Sequence, residues 1–383
     1  METGGIYKDA LDCHHETVAL RRWFHAHPEP SFQERLTAQK IREELAALGI
    51  EYAEAGETGT IGVIRGGASS PVAALRADID ALEITEETGA EYCSLRPGLM
   101  HACGHDAHIA ALLTAAKLLN RQKSRLNGTV KLIFQPAEEI GRGAKALIDT
   151  GLLSDVNAFF GIHMGAQMPV GTVAIQAGPI MAGANSLAID VHGQSGHGGH
   201  PDEGIDAIAA GAAIVEGLQH IIAREVPPRE AAVISVCQFH AGTRDNIIAN
   251  HARLSGTVRI TDEKRRSLMV EAIRRVADGI SAAHRVESQI TCEYATPVLD
   301  NSPELLQTVL DAAAVVPECT VCSPELKMGT EDFGVYRSIA PVFFVFAGSG
   351  GAYPHHHEKF DVDENVLPVC AALHTAFAMK FLA

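Results

Sequence analysis

The stretch PVAALRADID, residues 71–80, decides the fold. It is almost wholly apolar through Leu75, and its two aspartates wait until the end. A strand with one wet face alternates apolar and polar side chains, whereas a strand covered on both faces does not. Residues 71–80 are therefore expected to form a strand buried on both faces. The neighbouring pattern supplies the cover. LTAQKIREELAALGI (36–50) and HIAALLTAAKLLNRQ (108–122) repeat apolar residues at helical spacing. TGTIGVIRG (58–66) reads as a strand, and GTVKLIFQP (128–136) as another buried one. Helical GRGAKALIDTGLL (141–153) precedes strands NAFFGIHM (157–164) and GTVAIQAG (171–178). This rhythm predicts an α/β fold with a mostly parallel central sheet.

The pattern then changes. NSLAIDVHG (185–193) alternates as a strand, and a helix is expected over 203–224. AAVISVCQFHAG (231–242) and HARLSGTVRIT (251–261) are two strands, followed by a helix over 262–284 and the strand RVESQITCEY (285–294). The order β-α-β-β-α-β is ferredoxin-like. Afterwards the α/β rhythm resumes, with helices over 302–315 and 331–338, the strand PVFFVFAG (341–348) and a closing helix over 363–381. The expected organisation is one domain from 1–183 and 295–383, interrupted by a smaller domain over 184–294.

The 383 residues exceed what one compact core usually holds. Apolar residues make up 46% and charged ones 20%, a globular composition. The net charge of −16 argues against nucleic acid and anionic membranes as partners. No basic segment followed by an apolar run opens the chain, and no run approaches the roughly 18 apolar residues of a membrane span. Eight cysteines are scattered without a disulfide framework. Reduced thiols and a cytoplasmic location are the expectation.

The chemistry concentrates in MHACGHDAH, residues 100–108. Cys103 and His105 are two apart, so on an extended segment both project to one side. Gly104 between them permits a tight turn. That is metal-ligand spacing, although a solvated loop holding a free thiol would also account for it. Other strand ends add candidates. Glu138 and Glu139 follow KLIFQ, His163 ends NAFFGI, and His355, His356 and His357 follow FFVFAG and a glycine-rich loop. In α/β proteins the chemistry gathers at such strand ends. Four of them carrying His, Cys or Glu suit zinc or a related divalent ion. CTVC (319–322) has the CxxC spacing but neither a second pair nor a helix to open, so it is read as incidental.

These motifs, in this order, resemble the M20 metallopeptidases along the whole chain. The likeness is to the amidohydrolase branch that includes hippurate hydrolase, auxin-amino-acid hydrolases and bacterial N-acyl-amino-acid deacetylases. It is carried by RRWFHAHPEPSFQE (21–34), RADIDALEITEETG (76–89), MHACGHDAH, FQPAEE (134–139), IHMGAQMPVGTVAIQAGPIMAG (162–183), GQSGHGGHPDEGIDAI (193–208), RDNIIANHARLSGTVR (244–259), MGTEDFGVY (328–336) and HHHEKFDVDENVL (355–367). The resemblance implies a zinc-peptidase-like catalytic domain with an inserted lid and dimerisation domain. It implies two divalent ions (zinc, manganese, cobalt or nickel) bridged by Cys103. His105 and His163 would complete one site, and Glu139 and His356 the other. Glu138 would be the general base. Asp78 and Asp106 are candidate partners that orient the ligands. In the lid, His197 matches a histidine that holds the scissile carbonyl or its oxyanion. Asn246 matches an asparagine near substrate, and Arg259 could pair with a substrate carboxylate. The implied reaction is hydrolysis of an N-acyl amino acid or related small amide by a homodimer or higher homo-oligomer. A dipeptidase or aminopeptidase, or a non-catalytic metal- or metabolite-binding relative, is the alternative. Three departures stand out. Glu358 follows the histidine triplet where many relatives have proline, Glu83 replaces a proline after DAL, and His200 is added beside His197.

Overall fold

The computed structural model describes residues 4–317 and 319–383. The chain divides into two compact units. The larger comprises the chain up to Gly178, Asp300–Glu325 and Asp332–Ala383, and the smaller Pro179–Leu299 with Leu326–Glu331.

In the larger unit an eight-stranded sheet has the spatial order Glu51–Ala55, Gly59–Arg65, Thr129–Gln135, Val72–Asp78, Ala158–Gly165, Val342–Gly348, Thr172–Ala174, Thr320–Cys322. The four central strands, from Thr129–Gln135 to Val342–Gly348, run parallel to one another. Every residue in them is buried, as unbroken apolar runs require. Antiparallel pairing is confined to the flanks. Helices His105–Arg121 and Val366–Phe381 pack against each other and fill the core with alanine and leucine. The second is buried from Val366 through Met379, so it is apolar all round rather than on one stripe.

Several elements are shorter than their patterns. The helix expected over 141–153 spans Gly143–Asp149. Its first residue, Gly143, has no room for a side chain, since a Cβ there would lie 1.6 Å from the Pro136 carbonyl oxygen. The strand expected over 171–178 keeps only Thr172–Ala174. The helix over 331–338 is a 3-10 segment, Asp332–Ser338.

The smaller unit has a four-stranded antiparallel sheet in the order Ala232–Ala241, His251–Ile260, Gly183–His192, Glu287–Thr296. Helices Ala207–Arg224 and Arg266–His284 pack on each other and on one face of it. The first helix starts later than its pattern because the Asp206 carboxylate accepts the N–H groups of Ile208 and Ala209, an N-cap. Chain order is β-α-β-β-α-β, and the strand order is ferredoxin-like. Leu326–Glu331 joins this unit although its pattern belongs with the α/β segment. Lys327 exchanges backbone hydrogen bonds with Ile180 and Ala182. No described helix is long and apolar enough to cross a membrane.

Candidate metal centre

The site is built on the ends of the central strands of the larger unit. Gly104 sits at φ 89°, in the left-handed region, immediately before helix His105–Arg121. A Cβ on it would lie 2.8 Å from Met164 Cγ. The missing side chain lets Cys103 and His105 press against the strand end that carries His163. His105 Nδ1–H donates to the Asp80 carbonyl at 2.8 Å, and His163 Nδ1–H donates to the Met164 carbonyl at 2.9 Å. Both imidazoles therefore turn an Nε2 lone pair inward. His163 Nε2 lies 3.4 Å from Cys103 Sγ.

The carboxylates arrive through a strained turn. Ala137 has φ 54°, an uncommon conformation for a residue with a Cβ. Its N–H is held by Glu34 Oε1 at 2.9 Å, and the same oxygen accepts the N–H of Phe32 at 2.9 Å. The next residue is Glu138. The N–H of Glu139 then donates to Asp80 Oδ2 at 3.0 Å. Glu139 Oε2 lies 3.4 Å from His356 Nε2, and Oε1 lies 3.8 Å from His105 Nε2. His356 has φ 64° and donates its N–H to the Ala102 carbonyl at 2.8 Å. Of the three adjacent histidines only His356 faces Glu139. His355 Nε2–H donates to the Met164 carbonyl, and His357 stacks on Tyr353.

Two overlapping donor groups result, Cys103 with His105 and His163, and Cys103 with Glu139 and His356. Within each, the ligand atoms lie within 4.8 Å of one another. Among the described residues, buried His105 Nε2 and Glu139 Oε1 have no hydrogen-bond partner, an expensive arrangement unless something binds there. Burial pushes the Cys103 thiol up, and the Glu139 carboxylate adds to this, while His105 and His356 pull the other way. Cys103 and then Glu139 push the His356 imidazole up to about 10. A bound cation would favour the thiolate of Cys103 and take the place of the proton on His356. The donor set of thiolate, imidazole and carboxylate fits borderline divalent ions.

Asp78 stands 3.5 Å from His105 Nε2. It accepts from Arg76 at 2.6 Å and from His108 Nδ1. His108 Nε2 in turn accepts the Met164 N–H at 2.9 Å. His108 and Asp80 are the residues that sequence reasoning missed. The signal was present: His105 and His108 are three apart on a helix and so share a face, and Asp80 is two beyond Asp78.

Asp106 points elsewhere. It accepts from Arg21 Nε at 2.7 Å and His25 Nδ1 at 2.8 Å. It touches the cluster only through the backbone it shares with His105. Burial opposes charge on His25, but Asp106 and Glu86 outweigh it and raise its pKa to about 9. A raised imidazole contributes stability fully below its unfolded pKa of about 6.5 and loses it as pH climbs through the folded value. The urea midpoint should therefore fall between pH 6.5 and 9, and His25→Gln should flatten that slope. An unchanged slope in the variant would show that His25 is not the titrating group.

In the smaller unit, Gly196–His197 pairs with Ile247–Ile248, and the Gly198 N–H donates to the Asn246 carbonyl at 2.9 Å. His197 and Asn246 are thus side by side. His200 is exposed, its ring centroid 5.4 Å from that of His197. Arg259 lies on the open sheet face between Val233 and Ala184. No described carboxylate pairs with it, and burial lowers its pKa. Cys319 and Cys322 flank and end the edge strand Thr320–Cys322, and both are partly exposed.

Residues 74–380 match peptidase family M20/M25/M40. The chain belongs to this family. N-acetylcysteine deacetylase of Bacillus subtilis is 40% identical over 371 residues, covering 96% of this chain and 97% of that one. IAA-amino acid hydrolase ILR1-like 4 of Arabidopsis thaliana is 35% identical, covering 95% and 85%. A Bacillus subtilis crystal structure described as a dinuclear metal-binding peptidase from the M20 family has a TM-score of 0.88 at 38% identity, covering 96% and 98%. Among M20 proteins this chain is a metal-dependent amidohydrolase.

Proposed function

We propose that this amidohydrolase cleaves N-acyl amino acids to a carboxylic acid and an amino acid, using two divalent ions held by the two groups that share Cys103. The observation that carries the reading is this shared thiol, with the adjacent carboxylates Glu138 and Glu139 delivered beside it by the Ala137 turn. Zinc, manganese, cobalt and nickel are all compatible with the donors. Bound ions would supply Lewis-acid polarisation of the scissile carbonyl and acidification of the attacking water. Cys103, His105 and His163 would hold one ion, and Cys103, Glu139 and His356 the other. Asp80 and Met164 fix the imidazole tautomers through their carbonyls. Glu138 takes the proton from water as it attacks the carbonyl carbon, then delivers it to nitrogen as the C–N bond breaks. His197 and Asn246 are assigned to the substrate carbonyl, which their adjacency in one short ladder supports.

Arg259 is assigned to the carboxylate of the amino-acid half, because its guanidinium has no partner among the described residues. Arg259→Ala should raise KM for N-acyl amino acids about 10–100-fold, the range for a lost charge-assisted hydrogen bond. Amides lacking that carboxylate should be unaffected, and equal effects on both would remove the assignment. The eight free cysteines suit a reducing cytoplasm. A homodimer through the smaller unit belongs to the same reading. The test is a panel of N-acetyl, N-benzoyl and N-indoleacetyl amino acids beside dipeptides. Preferential cleavage of acylated substrates supports the proposal, whereas preference for free-amine dipeptides would replace it with a dipeptidase.

A further inference from the structure

The open face of the smaller sheet carries a second group of metal-binding side chains, apart from the buried cluster. His192 ends one central strand, with His251 directly opposite on one neighbour and Glu287 directly opposite on the other. Residues opposite each other on antiparallel strands project to the same face, so the three form one cross-strand row. The His192 and His251 ring centroids are 5.0 Å apart with 35° between planes. Both rings are exposed. In the next row, Asp190 Oδ1 lies 3.0 Å from His251 Nε2, and Arg253 lies 2.6 Å from Asp190 Oδ2.

The tautomer follows from these contacts. A carboxylate accepts, so His251 carries its proton on Nε2 and leaves the Nδ1 lone pair free. This is the carboxylate–imidazole arrangement that orients a ligand and raises its basicity. Arg253 holds Asp190 in place from the far side. Among the described residues, neither ring nitrogen of His192 makes a hydrogen bond and Glu287 makes no ion pair. Two imidazole nitrogens bound tetrahedrally at about 2.0–2.1 Å lie about 3.4 Å apart, a spacing that rings at this separation reach by small rotations. The row is eight residues along one strand from Arg259, about 27 Å at 3.4 Å per residue.

We propose that His192, His251 and Glu287 form a surface site for one borderline divalent cation of the zinc or nickel class, with His251 Nδ1 as a ligand oriented by Asp190. Chelator-stripped full-length protein would be equilibrated with about 10 µM free zinc and its ions counted, beside a His192→Ala/His251→Ala double variant. The variant should hold one ion fewer per chain and cleave amides at the wild-type rate. Asp190→Asn should weaken this ion's binding at least about tenfold. Equal ion counts in wild type and double variant would overturn the site, and unchanged affinity in Asp190→Asn would overturn the oriented-ligand assignment. A wild type holding one ion and a variant holding none would sustain this site while contradicting the buried centre.

Discussion

Glu138→Gln should lower kcat by a factor of about 10²–10⁴ while leaving the bound ions in place. The loss corresponds to roughly 3–5 kcal/mol of barrier. The amide is nearly isosteric, so the turn through Ala137 and the backbone of Glu139 should persist. What disappears is a group that can accept a proton from water and release it to the departing amine. Glu138 belongs to neither of the two groups described around Cys103, although its carboxylate also lies within 4.8 Å of the ligand atoms of His105 and Glu139; as the base and not a ligand, its replacement should separate rate from ion content. Rates measured at saturating substrate, with ions counted on the same sample, make the check. A variant that loses its ions along with its rate would mark Glu138 as a ligand. One that keeps both would leave the base unidentified.

Arg21→Met should destabilise the larger unit by about 3–5 kcal/mol, the range for removing one partner of a buried charge pair. Arg21 is fully buried. Its Nε reaches Asp106 at 2.7 Å, one NH2 group reaches Asp361 at 2.5 Å, and the other reaches Glu364 at 3.3 Å. Asp106 follows His105 directly, and Asp361 lies five residues beyond His356. One guanidinium thus joins the two segments that carry candidate ligands. Met keeps most of the volume and removes the charge, leaving the Asp361 carboxylate without its cation and Asp106 with His25 alone. Arg21→Lys should recover only part of the loss, because a single ammonium cannot reproduce the planar fork. Urea unfolding of the three forms decides the matter. A midpoint for Arg21→Met equal to that of wild type would mean that the network contributes nothing to stability.

The large sheet was legible because its central strands are covered on both faces, and continuous apolar sequence such as that of Val72–Asp78 has few other uses. The smaller unit was legible for the opposite reason: alternation in Gly183–His192 records one packed face and one open face. Element ends were less legible because single contacts decide them. The start of the Ala207 helix depends on the Asp206 cap, and the end of a short strand such as Thr172–Ala174 leaves no pattern. The family motifs brought Cys103, His105, Glu139, His163 and His356 into view together. The bracket that holds the turn before Glu138 was not visible, since Glu34 gripping Phe32 and Ala137 has no local signature. Arg21, 85 residues from Asp106 and 340 from Asp361, enters the sequence only at the head of RRWFHAHPEPSFQE, where nothing local marks its partners. Asp106 shows the limit in reverse. Its place beside His105 suggests support for the cluster, but the helix turns its side chain toward Arg21 and His25.

In the proposed mechanism Cys103 is shared by two ion sites on which amide cleavage depends. The most direct measurement counts ions and cleavage together in stripped and reloaded protein carrying His192→Ala/His251→Ala, with and without Cys103→Ala. Two ions per chain and restored cleavage are expected on reloading, with loss of both ion sites and of cleavage once Cys103 is replaced. Cleavage that survives chelation, or a Cys103→Ala protein that still holds two ions, would contradict it.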